Sequence, residues 1–372
     1  MYRAVNSAWS ATTGGRGVSG GTLSPLPRPL VAAITAVDRL RRSWLSALGR
    51  PGRALVRKRE LRVAVIFSVM VTTALIGSLV APFWLLLLGP VVWGVPHVVA
   101  DIRYLVVRSG YHQRPRVALL GGLTLLWMAL GGPLVEGLLC TAAVALLARA
   151  GLIRRLVVAA VIVLFAFFLD GLGRYGNIAF AHLHNFTPLL LWWIWRRRVG
   201  KLHMIPLVLL VAATCFLLSP VALDVAQALG GLGRFSTEMG PKAQLWRLAA
   251  DIDPAWGMRL VLLFCFSQSI HYGLWLHLLP DEDRDRATPL TFRATVEGLR
   301  VDLGDVGLVV AALLSIGVAV WALIDLVGAN AGYFRMAQFH AHLEVMAIAL
   351  FVLENCVVSP SGKGAHRQES RA

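Results

Sequence analysis

Charge is scarce along most of this chain, and cysteine is scarcer still. Only 15% of the 372 residues are Asp, Glu, Lys or Arg, against 57% that are hydrophobic, too few charges to clothe a soluble domain of this size. The four cysteines, Cys140, Cys215, Cys265 and Cys356, all lie in apolar runs, with no CxxC pair and no CxxCH haem-attachment pattern. That absence argues against a disulfide framework and a thiolate metal site, and leaves the cysteines as small buried hydrophobes. Acidic residues are in deficit, 20 against 36 Lys and Arg, for a net charge of +16. The excess is not spread evenly. Residues 1–62 hold 12 Arg and Lys against only Asp38 and Glu60, so ten of the sixteen excess charges precede the first long apolar run. A charge confined in this way suits membrane lipids and not nucleic acid. Leu30, Ile34, Val37, Leu40, Trp44 and Leu48 recur here at helical spacing with Arg39, Arg41 and Arg42 between them, the pattern of a basic amphipathic helix on an anionic membrane surface. A disordered basic tail is the alternative reading. The segment has no compact apolar core of the kind a secretory signal carries, and an organellar transit peptide stays open.

What the chain has in abundance is long apolar runs. Ten segments can be drawn as membrane spans: 62–82, 84–107, 117–132, 134–150, 154–171, 176–196, 204–223, 258–279, 305–328 and 333–356. With the basic N-terminus inside, the arginine-rich connections fall on the same side, as at Arg103, Arg108, Arg114 and Arg116 and again at Arg196, Arg197, Arg198 and Lys201. The expectation is an all-α, polytopic transmembrane helical bundle of about ten spans with both termini cytoplasmic, in a bacterial inner membrane. Residues 1–61 form the basic segment, 62–357 the bundle and 358–372 a cytoplasmic tail. The stretch 225–257, with Trp246, Leu248 and Trp256 among scattered charges, reads as a connector, with a partly helical lid on the membrane as the alternative; the DEDRDR run at 281–286 reads as a solvated loop.

Seven of the ten histidines, His97, His182, His184, His271, His277, His340 and His342, fall inside these apolar segments. A polar ring costs about 2 kcal/mol or more at bilayer depth unless it meets a partner, a cavity or a metal, and histidine is the commonest protein ligand for transition metals. In GVPHVVADIRYL, Pro96 loosens the helix beside His97, and Asp101 follows one turn later on the same face, placed to orient an imidazole or to relay a proton. AFAHLHNFTP and QFHAHLEVMA each carry two histidines at i,i+2, which point some 200° apart on a helix, so one member of each pair can face a shared metal. His340 shares a face with Glu344, and Gln338 shares one with His342. In FCFSQSIHYGLWLH, His271 lies at mid-depth with Gln268 nearby, and His277 is near enough to the end to snorkel. At ~1.5 Å per residue, His97 and His271 come out ~20 Å from the outer boundary and the two pairs ~9–13 Å from it. One four-helix metal site is the preferred arrangement, and two layers of histidines the alternative.

GVPHVVAD resembles the G-x-P-H-G-x-x-D signature of the Brp/Blh family of membrane carotene dioxygenases, and FCFSQSIH resembles that family's YFC-x-x-H-S-x-x-H region; histidine-bearing helices precede and follow it in the same general order. Val98 and Val99 stand where the family has Gly-Ala, Gln268 stands near one of its paired histidines, and FHAHLE replaces its late PH element. The resemblance implies Fe(II) held by His97, one of His182 and His184, His271, and one of His340 and His342, with a lipid-soluble polyene as the small-molecule substrate of an oxygenase. Two other classes fit the residues: a b-type haem electron-transfer protein with axial histidines, and a transporter or proton pathway through His97, Asp101, His271, Asp325 and Glu344 without a metal.

Overall fold

A computed structural model describes residues 27–195, 200–233, 240–250, 252–284 and 287–354. The first 26 residues of the basic segment, the tail 358–372 and Cys356 lie outside them. Every regular element among the described residues is a helix. The basic segment supplies α1 (Arg28–Ala47) and α2 (Gly49–Arg57). The apolar bundle follows as α3 (Arg59–Val80), α4 (Pro82–Asp101), α5 (Pro115–Ala129), α6 (Leu134–Ala145), α7 (Leu152–Gly171), α8 (Arg174–His184), α9 (Thr187–Trp195) and α10 (Met204–Leu218). Next come α11 (Pro220–Ala228), α12 (Pro241–Leu248), α13 (Pro254–Gly273), α14 (Phe292–Ile324) and α15 (Leu326–Glu354). Pro82, Pro115, Pro220, Pro241 and Pro254 each open a helix, where the missing N–H is no loss and the fixed φ favours the first turn.

Among the described residues six helices are long and apolar enough to cross a membrane: α3, α4 with its extension to Val107, α7, α13 with its extension to Glu282, α14 and α15; α10 and α11, bent by 83° at Ser219, make a seventh if they count as one span. Segments 117–132 and 134–150 hold the shorter α5 and α6, and segment 176–196 is broken into α8 and α9. The helices differ sharply in position. In the most apolar stretch of α13 72% of residues are buried, and in that of α15 67%, against 22% in α7 and 6% in α14. Thus α13 and α15 form the centre of the bundle, and α14 is an outer helix whose residues face away from the protein. Polar side chains are therefore concentrated on the two helices least able to leave them unpartnered.

One end of the bundle is closed by ion pairs. Arg62 at the start of α3 donates from Nε and Nη2 to Asp281, both at 2.9 Å. Arg103 and Arg108, after α4, share Asp302, at 2.6 and 2.9 Å, and Arg108 also reaches Asp283. Arg114 pairs with Glu354 at 2.7 Å. Arg62, Arg103, Asp281, Asp283 and Glu354 are largely buried, so each pair compensates charges that would be costly alone. The same end receives α1: Asp38 accepts from the backbone N–H groups of Phe292 and Arg293, and Arg41 donates to the Leu290 carbonyl. Leu30, Val37, Leu40, Trp44 and Leu48 are exposed, whereas Ile34 of the same apolar pattern is buried.

Candidate metal centre

Four helices bring one histidine each into a single buried cluster. His97 comes from α4, His184 from the last position of α8, His271 from α13 and His340 from α15. The ring centroids are 4.9 Å apart for His97 and His340, 4.5 Å for His340 and His184, 4.6 Å for His184 and His271, and 5.3 Å for His271 and His97. His271 and His340 are 5.8 Å apart across the group. The alternative of two separated histidine layers is not the arrangement found.

Local backbone features aim these rings. Pro90 and Pro96 lie inside α4, and the helix widens to a π-helical turn over Ile102–Val107, directly after Asp101. A second π-helical turn, Leu274–Leu278, follows His271 by three residues. Wide turns of this kind shift side-chain register and recur at functional sites. His184 stands where α8 stops: Asn185 donates to Ser267 of α13 at 3.3 Å, and Pro188 prevents α8 from running on as a regular helix.

The hydrogen bonds assign the protons. His97 Nδ1 faces the Trp93 carbonyl at 3.0 Å, and His340 Nδ1 faces the Ala337 carbonyl. A carbonyl oxygen only accepts, so each Nδ1 carries the hydrogen and each neutral ring presents a bare Nε2 lone pair. Those two Nε2 atoms face each other at 3.4 Å. Two lone pairs at that distance repel unless a metal ion or a shared proton lies between them. Both ring nitrogens of His271 are buried without a hydrogen-bond partner. His184 Nδ1 lies 3.1 Å from Glu344 Oε2, and Glu344 Oε1 accepts from the Trp275 indole at 2.8 Å and lies 3.8 Å from His271 Nε2. A ligating imidazole commonly donates its other N–H to a carbonyl or carboxylate, which is the pattern at His97, His340 and His184. The candidate ligand atoms fall into two overlapping groups, His97 with His271 and His340, and His184 with His271 and Glu344; atoms within each group lie within 4.8 Å of one another. These buried groups can hold a metal ion.

The other expected residues are placed elsewhere. His182 turns away from the cluster, its Nε2 3.0 Å from the Leu248 carbonyl and its ring on Phe264. His342 faces the Gln338 carbonyl and Phe180, so Gln338 takes part through its backbone. Gln268 donates to the Tyr272 hydroxyl at 2.7 Å, one step from the histidines. Asp101 is fully buried with both oxygens unpartnered, and His97 is oriented by Trp93, not by Asp101; the i−4 carbonyl is simply nearer to Nδ1 than a side chain one turn ahead. His277 is not in the cluster. The stretch 225–257 contains α12, whose Gln244 and Leu248 are buried, Leu248 against Phe83, Leu86, Met258 and Phe264.

Three participants escaped the sequence reading. Trp275 holds Glu344, and the ring of Tyr272 packs on His97 with centroids 4.6 Å apart. Tyr333 fills the notch at Gly94, where a Cβ would come within 2.4 Å of its ring. Tyr272 and Trp275 lie within one turn of His271 and Tyr333 two turns before His340, but nothing distinguishes them in sequence from ordinary aromatic packing. Gly94→Ala must displace Tyr333. We expect a loss of ~1–3 kcal/mol, the usual effect of overpacking, seen as a lower thermal midpoint in detergent; an unchanged midpoint would show that Tyr333 moves freely. No protein-family profile, no curated protein and no solved structure matches this chain.

Proposed function

We propose that this chain is a ten-span membrane oxygenase with both termini in the cytoplasm, carrying one non-haem Fe(II) among His97, His184, His271 and His340 and cleaving a lipid-soluble polyene of the carotenoid class. Single observation carries the metal reading: the facing Nε2 atoms of His97 and His340, 3.4 Å apart with their Nδ1 hydrogens already committed. The neutral nitrogen donors suit ferrous iron. Iron, when bound, would supply the electron donation that dioxygen chemistry requires. The protein's part is to hold four rings in one layer, to fix their tautomers through backbone carbonyls and Glu344, and to keep the centre among apolar helices from which water is excluded. Addition of both atoms of dioxygen across a cleaved double bond gives two carbonyl products, so the reaction needs no external reductant. The resemblance of GVPHVVAD and FCFSQSIH to the Brp/Blh family supports the polyene as substrate.

The same reading makes membrane lipids the partners of α1, whose arginines and exposed Leu40 and Trp44 suit an anionic leaflet, and makes a bacterial inner membrane the setting. A haem b centre fits the geometry poorly: a porphyrin between two of these rings would take the space held by the other two.

Absorption spectroscopy with metal analysis of the purified protein tests the proposal. We expect about one iron per chain and no Soret band. A Soret band with stoichiometric haem, or the absence of any transition metal after anaerobic loading with Fe(II), would reject it. Expression in carotenoid-accumulating cells then tests the substrate: loss of colour with formation of an aldehyde product is expected, and persistent colour in cells that contain the iron-loaded protein counts against polyene cleavage.

A further inference from the structure

The end of the bundle opposite the ion pairs holds a cation of a different kind. Arg247, in the last turn of α12, donates from Nη1 to Asn330 Oδ1 at 3.2 Å and stacks on the Phe334 ring, 4.7 Å from its centroid. Asn330 is fully buried, and its Nδ2 donates to the carbonyls of Leu86 and Leu87 at 3.0 and 3.1 Å, which fixes its amide oxygen toward the guanidinium. Arg247 Nη2 is buried and has no hydrogen-bond partner. No carboxylate among the described residues pairs with Arg247, whereas Arg62, Arg103, Arg108 and Arg114 at the other end each pair with one. Burial pulls the Arg247 pKa down to about 10, which still leaves the group charged at neutral pH.

One aromatic ring links this cation to the histidines. Tyr272 lies within electrostatic range of Arg247 and packs its ring on His97. The neighbours of Arg247 are largely apolar: Phe334 stacks on the guanidinium, Asn330 is bonded to the buried Leu86 and Leu87, and the buried Leu248 is the next residue of α12. We infer that Arg247 holds the carboxylate of a long-chain amphiphile whose apolar chain reaches the histidine cluster, so that the membrane-dissolved substrate carries an acid group at one end. The inference deepens the oxygenase reading and rests on it for the role of the cluster, but the binding step needs no metal. A carboxylate is the fitting group because one unpartnered nitrogen beside a neutral amide can balance a single negative charge; a phosphate dianion would be left partly uncompensated. The planar guanidinium also matches carboxylate geometry and tolerates an aromatic face behind it.

The test uses the full-length, metal-free protein in detergent, with tryptophan fluorescence as readout and 9,10-dibromostearic acid or its methyl ester as the quenching probe. We expect the acid to bind at least about tenfold more tightly than the ester, equivalent to about 1.4 kcal/mol. Arg247→Gln should abolish that preference while binding Fe(II) as the wild type does, and Arg247→Lys, which keeps the charge, should retain part of it. Equal binding of acid and ester by the wild type, or a preference that survives in Arg247→Gln, would overturn the inference. So would displacement of the acid by dioleoyl phosphatidic acid more readily than by oleate, since Arg247 would then be a lipid headgroup site. Because the measurement is made without metal, its failure leaves the iron proposal standing, and failure of the iron proposal leaves this result readable.

Discussion

Replacing His271 by alanine should remove metal binding while leaving the metal-free protein as stable as the wild type, or more so. His271 belongs to both candidate ligand groups, so its loss disrupts either mode of coordination. Losing one of four ligands should weaken Fe(II) binding by a factor of about 100, ~3 kcal/mol. The stability effect has the opposite sign from an ordinary core truncation. Leucine-to-alanine changes in packed cores cost ~3–5 kcal/mol through lost contacts and a cavity. His271, in contrast, buries two ring nitrogens that have no hydrogen-bond partner, and an orphaned polar group of this kind costs ~1–3 kcal/mol in the folded state. Removing it offsets the cavity. The measurement is thermal unfolding with and without Fe(II). The wild type should gain stability with metal concentration, as any ligand selective for the folded state requires, whereas His271→Ala should need about a hundredfold more metal for the same rise. A metal-dependent rise of equal size in His271→Ala would remove this residue from the ligand set.

Much of this centre is legible in the sequence, and the parts that are not have physical reasons. The helical class follows from apolar length, and the helices bearing His97, His184, His271 and His340 are those that histidine placement selects. The expected depths of His184 and His340 both differ from those found, and for His340 the cause is visible. Starting the last span at 333 puts His340 well above His97, but α15 begins at Leu326, seven residues earlier. His340 then stands 14 residues into its helix, His97 15 residues into α4 and His271 17 residues into α13, or ~21, ~22 and ~26 Å at the helical rise. Hydropathy does not detect that start, because Asn330 and Arg335 lower the local average although Asn330 is buried by its bonds to Leu86 and Leu87. The choice within each i,i+2 pair is equally hidden. An amphipathic soluble helix shows its buried face through period, but a helix apolar all round gives no phase, so His184 could not be told from His182, nor His340 from His342. The break after His184 decides the first case. In the second, the pairing of His340 with Glu344 on one face of α15 was available at the outset, and it is the face that joins the cluster.

Glu344→Gln should reduce metal affinity by about 10- to 100-fold, the usual consequence of losing a residue that orients a ligand, although the two side chains are almost isosteric. The carboxylate accepts on both sides, from Trp275 Nε1 at Oε1 and from His184 Nδ1 at Oε2. A glutamine amide can satisfy only one of them. If its oxygen meets Trp275, its NH2 group confronts His184 Nδ1; a donor facing that nitrogen forces the ring into the tautomer with hydrogen on Nε2, which removes the lone pair there. If the amide is reversed, its NH2 group confronts the Trp275 indole N–H, and two buried donors face each other. Neither orientation preserves the native network, and Glu344 has no exposure through which water could repair it. Competition with a chelator measures the Fe(II) affinity, and the imidazole proton resonances of a His-labelled sample report which nitrogen of His184 carries hydrogen. A weaker site together with a changed His184 tautomer identifies Glu344 as a positioning residue. A weaker site with the tautomer unchanged makes Glu344 itself a ligand, and affinity equal to that of the wild type separates this carboxylate from the metal altogether.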